Sequence, residues 1–258
     1  MAHAEQRRFI ELVSQHLFKR ARPMRILEVG SCDVNGTIRH IFRDSTSYIG
    51  ADLVEGPGVD IVKAGQDIDL ASDSVDLALS CECFEHNPYW LKTFQNMTRM
   101  TRPGGLIVFT CASRGRVEHG TDRSEPGHSP GTTSLGWNYY RNLRQADFES
   151  GLNLAGYFTV FRFYYVPSTS DLYFFGVKKG GEQPDFDLAA FEAEVDQIRL
   201  MEKERFKDLG VFKRALWKVY KMPLVVASHL LNEKGFQSFA TRYVKVGDMA
   251  KPWVGWHV

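Results

Sequence analysis

Short apolar runs alternate with segments of helical spacing over the first half of the chain. The runs that predict strands are residues 25–29, 48–52, 59–62, 75–80 and 106–110. Helical spacing of apolar positions marks residues 5–19, which Pro23 ends, and residues 89–100. The fourth and fifth runs are apolar enough to be central strands, buried on both faces. Strands that alternate with helices predict an α/β fold with a doubly wound, mostly parallel sheet.

The pattern changes after the fifth strand. Residues 113–137 are rich in Gly, Pro, Ser, His and charged side chains and have no period, which predicts a long loop at the carboxyl edge of the sheet. A helix is expected over 141–155. Two aromatic-rich runs follow, 159–166 and 172–178, and their spacing suits an antiparallel pair that closes the edge of a seven-stranded sheet.

We expect the sheet domain to occupy residues 1–181 and a helical C-terminal extension to occupy residues 182–258. Within the extension, helical spacing covers 186–209 and 211–231. The second of these segments is basic and amphipathic, so it could dock on a membrane surface or a partner, although such a segment more often packs on its own domain or across a homodimer. Residues 251–256 are aromatic and are predicted to be irregular.

The turn after the first strand carries the clearest chemical signal. Residues 25–36 read RILEVGSCDVNG, with an acid at Glu28 and a turn around Gly30, and an amphipathic segment, 37–42, follows. A strand, a glycine turn and a helix form the layout of a nucleotide-type cofactor site. Asp52 ends the next strand, where a carboxylate can accept both hydroxyls of a ribose.

Composition narrows the function classes. The net charge is +1, from 32 Lys and Arg against 31 Asp and Glu, and a nucleic-acid binder would usually show a strong basic excess. No apolar run approaches the ~18 residues of a membrane span, and the N-terminal segment lacks the apolar core of a signal peptide. The four cysteines are few, so we expect reduced thiols in a cytoplasmic protein.

Six motifs, in order and in spacing, resemble those of class I S-adenosylmethionine-dependent methyltransferases. They are Glu28-Val29-Gly30, Asp52, Asp67, Ser74-Val75-Asp76, Glu85-His86 and the turn Arg102-Pro103-Gly104-Gly105. The chain departs from the family pattern in the glycine loop, where Cys32 and Val34 replace glycines and the loop is longer. A nicotinamide dehydrogenase would instead need G-x-G-x-x-G at this turn, which the chain lacks.

The resemblance implies S-adenosylmethionine as cofactor, S-adenosylhomocysteine as product, and a Rossmann-like fold. It implies that Glu28 orders the glycine loop and the methionine end. The residues expected to bind the cofactor are Glu28, Gly30, Ser31, Cys32, Asp52, Leu53, Asp67, Ile68, Cys81 and Glu82. Asp52 should accept the ribose hydroxyls, Leu53 should lie beside the adenine, and Asp67 and Ile68 should bind the adenine edge. Cys81 and Glu82 should lie near the sulfonium.

Three histidines are candidates for a general base: His119 and His128 in the long loop, and His86 after the fourth strand. The alternatives are a solvated loop for the first two and a structural role for His86. His119, Asp122 and His128 could also ligate a metal, but their spacing is not diagnostic, so we expect none.

The expected reaction is O-methylation of a small-molecule or sugar-like acceptor, such as a glycan. The alternatives are N- or C-methylation of a small metabolite, and a protein of this fold that binds the cofactor without catalysis. No nucleic-acid partner is expected, since the chain has no basic excess.

Overall fold

Seven strands form one mixed sheet, as predicted, in the order β3-β2-β1-β4-β5-β7-β6. In this computed structural model the described residues are 4–17, 24–43, 47–181, 186–198, 200 and 210–254. The strands are β1 (Arg25–Val29), β2 (Ser47–Asp52), β3 (Ile61–Val62), β4 (Val75–Cys81), β5 (Thr101–Ala112), β6 (Phe158–Val166) and β7 (Asp171–Lys178). The first five are parallel, and β7 runs antiparallel to both β5 and β6. The predicted antiparallel pair at the sheet edge is therefore confirmed.

The helices flank the sheet and cover the long loop. They are α1 (Ala4–Leu12), α2 (Trp90–Met100), α3 (Pro130–Ser134), α4 (Gln145–Gly151), α5 (Leu154–Tyr157), α6 (Leu188–Ile198), α7 (Val211–Leu230) and α8 (Glu233–Val254). A π-helical turn, Val13–Leu17, continues α1. Single 3-10 turns occur at Arg39–Phe42, Gly65–Asp67, Phe84–His86 and Pro126–His128.

Alternation along the strands builds a core on each face of the sheet. Ile26, Leu77 and Val108 pack with α1 and α6 in one cluster, whereas their neighbours Leu27 and Ala78 belong to the other. The second cluster contains a stack of phenylalanines: Phe109 lies 4.6 Å from Phe148 and 4.9 Å from Phe174, ring centroid to ring centroid. Burial on both faces explains why the central strands are apolar throughout.

The predicted turn at residues 102–105 lies inside a strand. Thr101 pairs with Val75 and Leu106 pairs with Leu77, so the intervening residues bulge out of β5. Gly104 has φ +73° at this bulge, a conformation that glycine adopts without strain. Arg102 fixes the bulge from outside, because its Nε lies 2.5 Å from Asp76 Oδ1.

Three helix predictions need correction. The amphipathic segment after the glycine turn forms only the 3-10 turn Arg39–Phe42, because Arg39 reaches back to the carbonyl oxygen of Tyr48 at 2.9 Å. The helix expected over 141–155 is extended at first and then divides into α4 and α5, where Asn153 accepts a hydrogen bond from the Gly156 N–H and caps α5. Residues 251–254, expected to be irregular, belong to α8.

The C-terminal segments pack on the sheet domain in two places. Phe191 of α6 lies 5.9 Å from Phe9 of α1, ring to ring, within the first core cluster. Gln237 of α8 accepts a hydrogen bond from the Glu118 N–H at 2.8 Å and donates one to the Arg116 carbonyl oxygen at 3.0 Å. The part of the predicted helix 186–209 beyond Ile198 lies largely outside the described residues. None of the helices in the described ranges has the length and apolar character that crossing a bilayer requires.

Candidate functional site

An open cavity lies at the carboxyl ends of β1, β2 and β4, where the sequence predicts a cofactor. Of the predicted site residues, those that line it are Glu28, Gly30, Ser31, Cys32, Asp52, Leu53, Cys81, Glu82, His86 and His128. The carboxyl edge of a doubly wound sheet is the usual position for a ligand, because several loops converge there. The sequence therefore indicated most of one wall of this cavity.

Glu28 is a buried acid at the inner end of the cavity. Its Oε2 accepts a hydrogen bond from the Tyr48 hydroxyl at 2.7 Å. Removal from water disfavours the charged carboxylate and raises the pKa of Glu28 to about 7, although the Tyr48 hydrogen bond opposes the shift. A cationic ligand group beside Glu28 would favour the ionised form.

The glycine loop holds its backbone against β2 and β4. The N–H groups of Gly30 and Ser31 both donate to the Ala51 carbonyl oxygen, at 2.8 and 3.2 Å. Gly30 has φ +84°, and a Cβ there would stand 2.7 Å from the Cβ of Cys83. Only glycine fits this position. The Ser31 Oγ is buried without a hydrogen-bond partner among the described residues, which leaves it available to a ligand.

Asp52 is held by backbone donors at the end of β2. Its Oδ2 accepts from the Cys32 N–H at 2.9 Å, and its Oδ1 accepts from the Leu53 N–H at 2.7 Å. Burial raises the pKa of Asp52, and the two N–H donors oppose that rise. A Cβ on Gly131 of α3 would stand 3.3 Å from Oδ1, so the long loop passes directly over this carboxylate.

Two of the expected adenine contacts lie away from the cavity wall. Asp67 is exposed and accepts a hydrogen bond from the Gln66 side chain at 3.2 Å, while Ile68 is buried in the second core cluster. Gly65 of the same 3-10 turn does line the cavity. On the other wall, burial raises the pKa of the Cys81 thiol, so that thiol stays protonated at neutral pH.

The three candidate histidines gather at one wall of the cavity. The ring of His119 lies 5.0 Å from that of His86, 6.1 Å from that of His128 and 5.1 Å from that of Tyr140. Burial lowers the pKa of His86 to about 3 and that of His119 to about 4. Both rings are therefore neutral at physiological pH. His86 and His128 line the cavity, whereas His119 stands behind His86.

A buried carboxylate joins this histidine group. Ligand atoms of Glu85, His86 and His119 all lie within 4.8 Å of one another. Glu85 is fully buried, and burial together with the nearby Glu82 raises its pKa well above the ordinary range. Asp122, the acid of the metal triad considered from the sequence, is exposed and is not part of this group.

Sequence reasoning missed the wall that the long loop contributes. Ser129, Pro130, Gly131, Thr132 and Trp137 line the cavity opposite the glycine loop. The signal was present, since a serine before a proline is a typical helix start, and α3 begins there. Gln6 of α1 also lines the cavity, and no local pattern marks it.

Comparisons with known proteins show the family to which this chain belongs. The sequence model of the methyltransferase domain family matches residues 1–152. An uncharacterised methyltransferase of Mycobacterium ulcerans is 44% identical over 55 residues, 21% of this chain and 22% of that protein. One from Mycobacterium bovis is 41% identical over 67 residues, 26% of each chain. The matched segment thus spans about a quarter of these relatives.

Among solved structures, the chain is similar to Burkholderia thailandensis 1,6-didemethyltoxoflavin-N1-methyltransferase with bound 1,6-didemethyltoxoflavin and S-adenosylhomocysteine. The two are 17% identical with a TM-score of 0.47, over 69% of this chain and 79% of that chain.

Proposed function

Because this chain belongs to the methyltransferase domain family, we propose that it uses S-adenosylmethionine to methylate a hydroxyl oxygen of a small-molecule or sugar-like acceptor. His128 acts as the general base. The observation that carries the proposal is the placement of His128 on the cavity wall with its Nδ1 3.2 Å from Glu125 Oε2.

The residues that line the cavity fit the ribose and the methionine part of the cofactor. Asp52 accepts the ribose hydroxyls, and Leu53 lies beside the adenine. The backbone of Gly30, Ser31 and Cys32 approaches the methionine part, and the Ser31 Oγ, buried without a partner among the described residues, donates there. Glu28 provides the negative charge that faces the cationic amino group.

Four further residues complete the proposed cofactor contacts. Cys81 and Glu82, at the end of β4, lie beside the reacting centre. Asp67 and Ile68 follow Gly65, whose backbone reaches the cavity, so they bind the adenine edge only if this turn moves inward. Their role therefore stays a prediction, and it is the part of the cofactor site that the geometry supports least.

Proton removal decides which acceptor atom the site suits. The cofactor supplies an electrophilic methyl group on its sulfonium, so the protein mainly positions the acceptor and takes up its proton. A neutral amine can attack through its lone pair and lose its proton afterwards. A hydroxyl is a good nucleophile only when a base removes its proton. His86 and His119 have pKa values lowered to about 3 and 4, which makes both weak bases. His128 is therefore the favoured base.

The carboxylate of Glu125 lies beside Nδ1 of His128. Glu125 adopts φ +49°, a left-handed conformation that side-chain-bearing residues seldom occupy. Such strain is retained at functional sites when the surrounding structure enforces it. A carboxylate beside Nδ1 favours the tautomer with the proton on Nδ1, so that Nε2 can accept the proton of the acceptor hydroxyl. As the O–CH₃ bond forms, the S–CH₃ bond breaks and the proton moves to His128.

Transfer of a labelled methyl group from S-adenosylmethionine to a panel of sugars, polyols and phenols tests the proposal, with mass spectrometry to locate the methyl group. We expect O-methyl products, and His128→Asn should lower kcat by ~10²- to 10⁴-fold while cofactor affinity is unchanged. Glu125→Gln should lower kcat less. His40→Asn, at an exposed histidine outside the cavity, is the matched control. Methylation of nitrogen or carbon, or an unchanged kcat in His128→Asn, would overturn it.

The proposal also covers the cellular location of the protein and its contact with a membrane or a second copy. The free cysteines, Cys32, Cys81, Cys83 and Cys111, support a cytoplasmic location. Val219, Met222 and Val225 of α7 expose more than half of their surface, which supports contact with a membrane surface or a homodimer. Vesicle sedimentation and analytical ultracentrifugation distinguish these two arrangements.

A further inference from the structure

The buried group of Glu85, His86 and His119 has the composition of a metal site. We propose that these three side chains bind one divalent transition-metal ion at the inner wall of the cavity, as an open site. The three residues come from two separate segments, the 3-10 turn after β4 and the long loop after β5.

The donor set and its spacing favour a metal. One carboxylate oxygen and two imidazole nitrogens lie within 4.8 Å of one another. Bonds to a metal of about 2.0–2.2 Å would place neighbouring donors roughly 3–3.5 Å apart. Small side-chain rotations can close that difference. Two histidines and one carboxylate suit Mn²⁺, Fe²⁺ or Zn²⁺ better than Mg²⁺ or Ca²⁺, which prefer oxygen donors.

Three polar atoms of this group have no hydrogen-bond partner among the described residues. Glu85 is fully buried, and neither of its carboxylate oxygens has a hydrogen-bond partner there. The Nδ1 of His86 is likewise buried without a partner. A buried polar group without a partner destabilises the folded protein, and native proteins seldom retain three such atoms side by side unless a ligand completes the site.

His119 is already held in the tautomer that a metal ligand needs. Its Nδ1 lies 3.1 Å from the Val117 carbonyl oxygen, so Nδ1 donates a hydrogen bond and Nε2 keeps its lone pair. Metal-ligating histidines are usually oriented by such a bond from the second nitrogen. Tyr140 packs against both His86 and His119 and donates to the same Val117 carbonyl at 3.3 Å, which restricts ring rotation.

The backbone is shaped to bring the two segments together. Gly120 has φ +65°, and a Cβ there would stand 2.8 Å from His86 Cε1, so only glycine allows the long loop to approach this ring. Glu82 adopts φ +51° directly after β4. Left-handed backbone is strained at a residue that carries a side chain. This strain turns the chain so that Glu85 and His86 point towards the loop.

The position of the site suggests its use. Glu82 and His86 line the cavity, whereas Glu85 and His119 lie behind them. A metal held here has an open coordination position on the cavity side, where an acceptor hydroxyl can bind. The metal would lower the pKa of that hydroxyl and ease proton transfer to His128. This use of the site rests on the proposed O-methylation, but metal binding itself does not.

The test begins with the full chain after removal of metal by EDTA. Calorimetric titration with MnCl₂ and ZnCl₂, without cofactor or acceptor, should give one metal per chain. Glu85→Gln and His119→Asn should each weaken binding at least ~10-fold, whereas His40→Asn should bind as the unmodified chain does. Circular dichroism of the metal-free variants checks that they fold. Electron paramagnetic resonance of the Mn²⁺-loaded unmodified chain should show hyperfine coupling to histidine nitrogen, a result that depends on no variant.

The outcomes separate the two proposals. No saturable binding, equal affinity in Glu85→Gln and His40→Asn, or Mn²⁺ without nitrogen coupling would overturn the metal site. Metal binding with methyl transfer to nitrogen or carbon leaves the site in place and refutes only the proposed acceptor atom. Methyl transfer to hydroxyls that persists unchanged in a metal-free chain refutes the proposed part of the metal in the reaction and leaves metal binding to the titration.

Discussion

Glu28→Gln tests how much the buried charge of Glu28 destabilises the folded protein. Glu28 is 5% exposed, and burial raises its pKa from 4.5 to about 7. Between these two values the folded chain keeps a proton that the unfolded chain has lost. Stability therefore falls as pH rises through this window, and the loss is complete above about pH 7. This difference between the pKa values of Glu28 in the folded and the unfolded chain corresponds to about 3 kcal/mol of stability.

Urea unfolding of the cofactor-free protein, from about pH 5 to about pH 8.5, measures this effect. Glutamine is uncharged and can still accept the hydrogen bond from Tyr48. Near pH 5 the two proteins should be similar in free energy of unfolding, and near pH 8 the variant should be more stable by about 3 kcal/mol. Burial also raises the pKa values of Glu85 and Asp171, but both chains contain these residues, so their effects cancel in the difference.

The same substitution tests whether Glu28 faces a cationic group of the cofactor. A cationic cofactor group beside Glu28 would favour the carboxylate, so binding would release a proton below about pH 7. Cofactor affinity of the unmodified chain should rise with pH up to about 7 and then level off, whereas that of Glu28→Gln should be weaker and independent of pH. Calorimetry in two buffers of different ionisation enthalpy counts the released proton. Parallel stability profiles of the two chains would refute the reasoning.

Three further predictions concern Asp52, the phenylalanine stack of the core and the contact between α8 and the long loop. Asp52→Ala should weaken S-adenosylmethionine binding at least ~10-fold in calorimetric titration, because removing the partner of bound hydroxyls costs about 1.5–3 kcal/mol; unchanged affinity would contradict the assignment. Phe109→Ala should lower the free energy of unfolding by about 3–5 kcal/mol in urea, since it leaves a cavity between Phe148 and Phe174. Gln237→Ala should speed proteolysis within residues 113–137 and leave cofactor affinity intact, because its two bonds join α8 to that loop.

The sheet could be predicted from the sequence because its signals are local. β1 has the predicted bounds, and the central strand β4 differs from its prediction by one residue. These strands are buried on both faces, so each is a continuous apolar run that a turn ends. The acids Glu28 and Asp52 end adjacent parallel strands, so their position on the cavity wall also follows from local pattern and strand order.

Some helix boundaries that the sequence analysis did not predict have a local signal in the sequence. Asn232 accepts a hydrogen bond from the Gly235 N–H at 2.9 Å and so caps α8, and Phe236 and Ala240 follow on one helical face. The aromatic residues near the C-terminus suggested irregular structure instead. Gly151 and Asn153 likewise mark the end of α4 and the start of α5.

The pairing of His86 with His119 had no local signal. The two rings meet because a loop without period folds back over the sheet, and its path depends on Gly120 and on bonds from α8. Glu85 is fully buried for the same reason. Sequence patterns report which face of an element is buried, but they do not report which distant segment covers it.

The contacts that form the cavity wall bury several carboxyl groups, and burial changes their pKa values. Burial raises the pKa values of Glu28, Asp52 and Glu85, so the free protein bears three carboxyl groups whose charged forms are disfavoured. Stability and function oppose each other here, as they commonly do at active sites. A cationic cofactor beside Glu28 and a divalent metal beside Glu85 would each stabilise an ionised carboxylate. Ligands should therefore raise the melting temperature more at pH 8 than at pH 6, and a neutral ligand that fills the same cavity should not show this dependence.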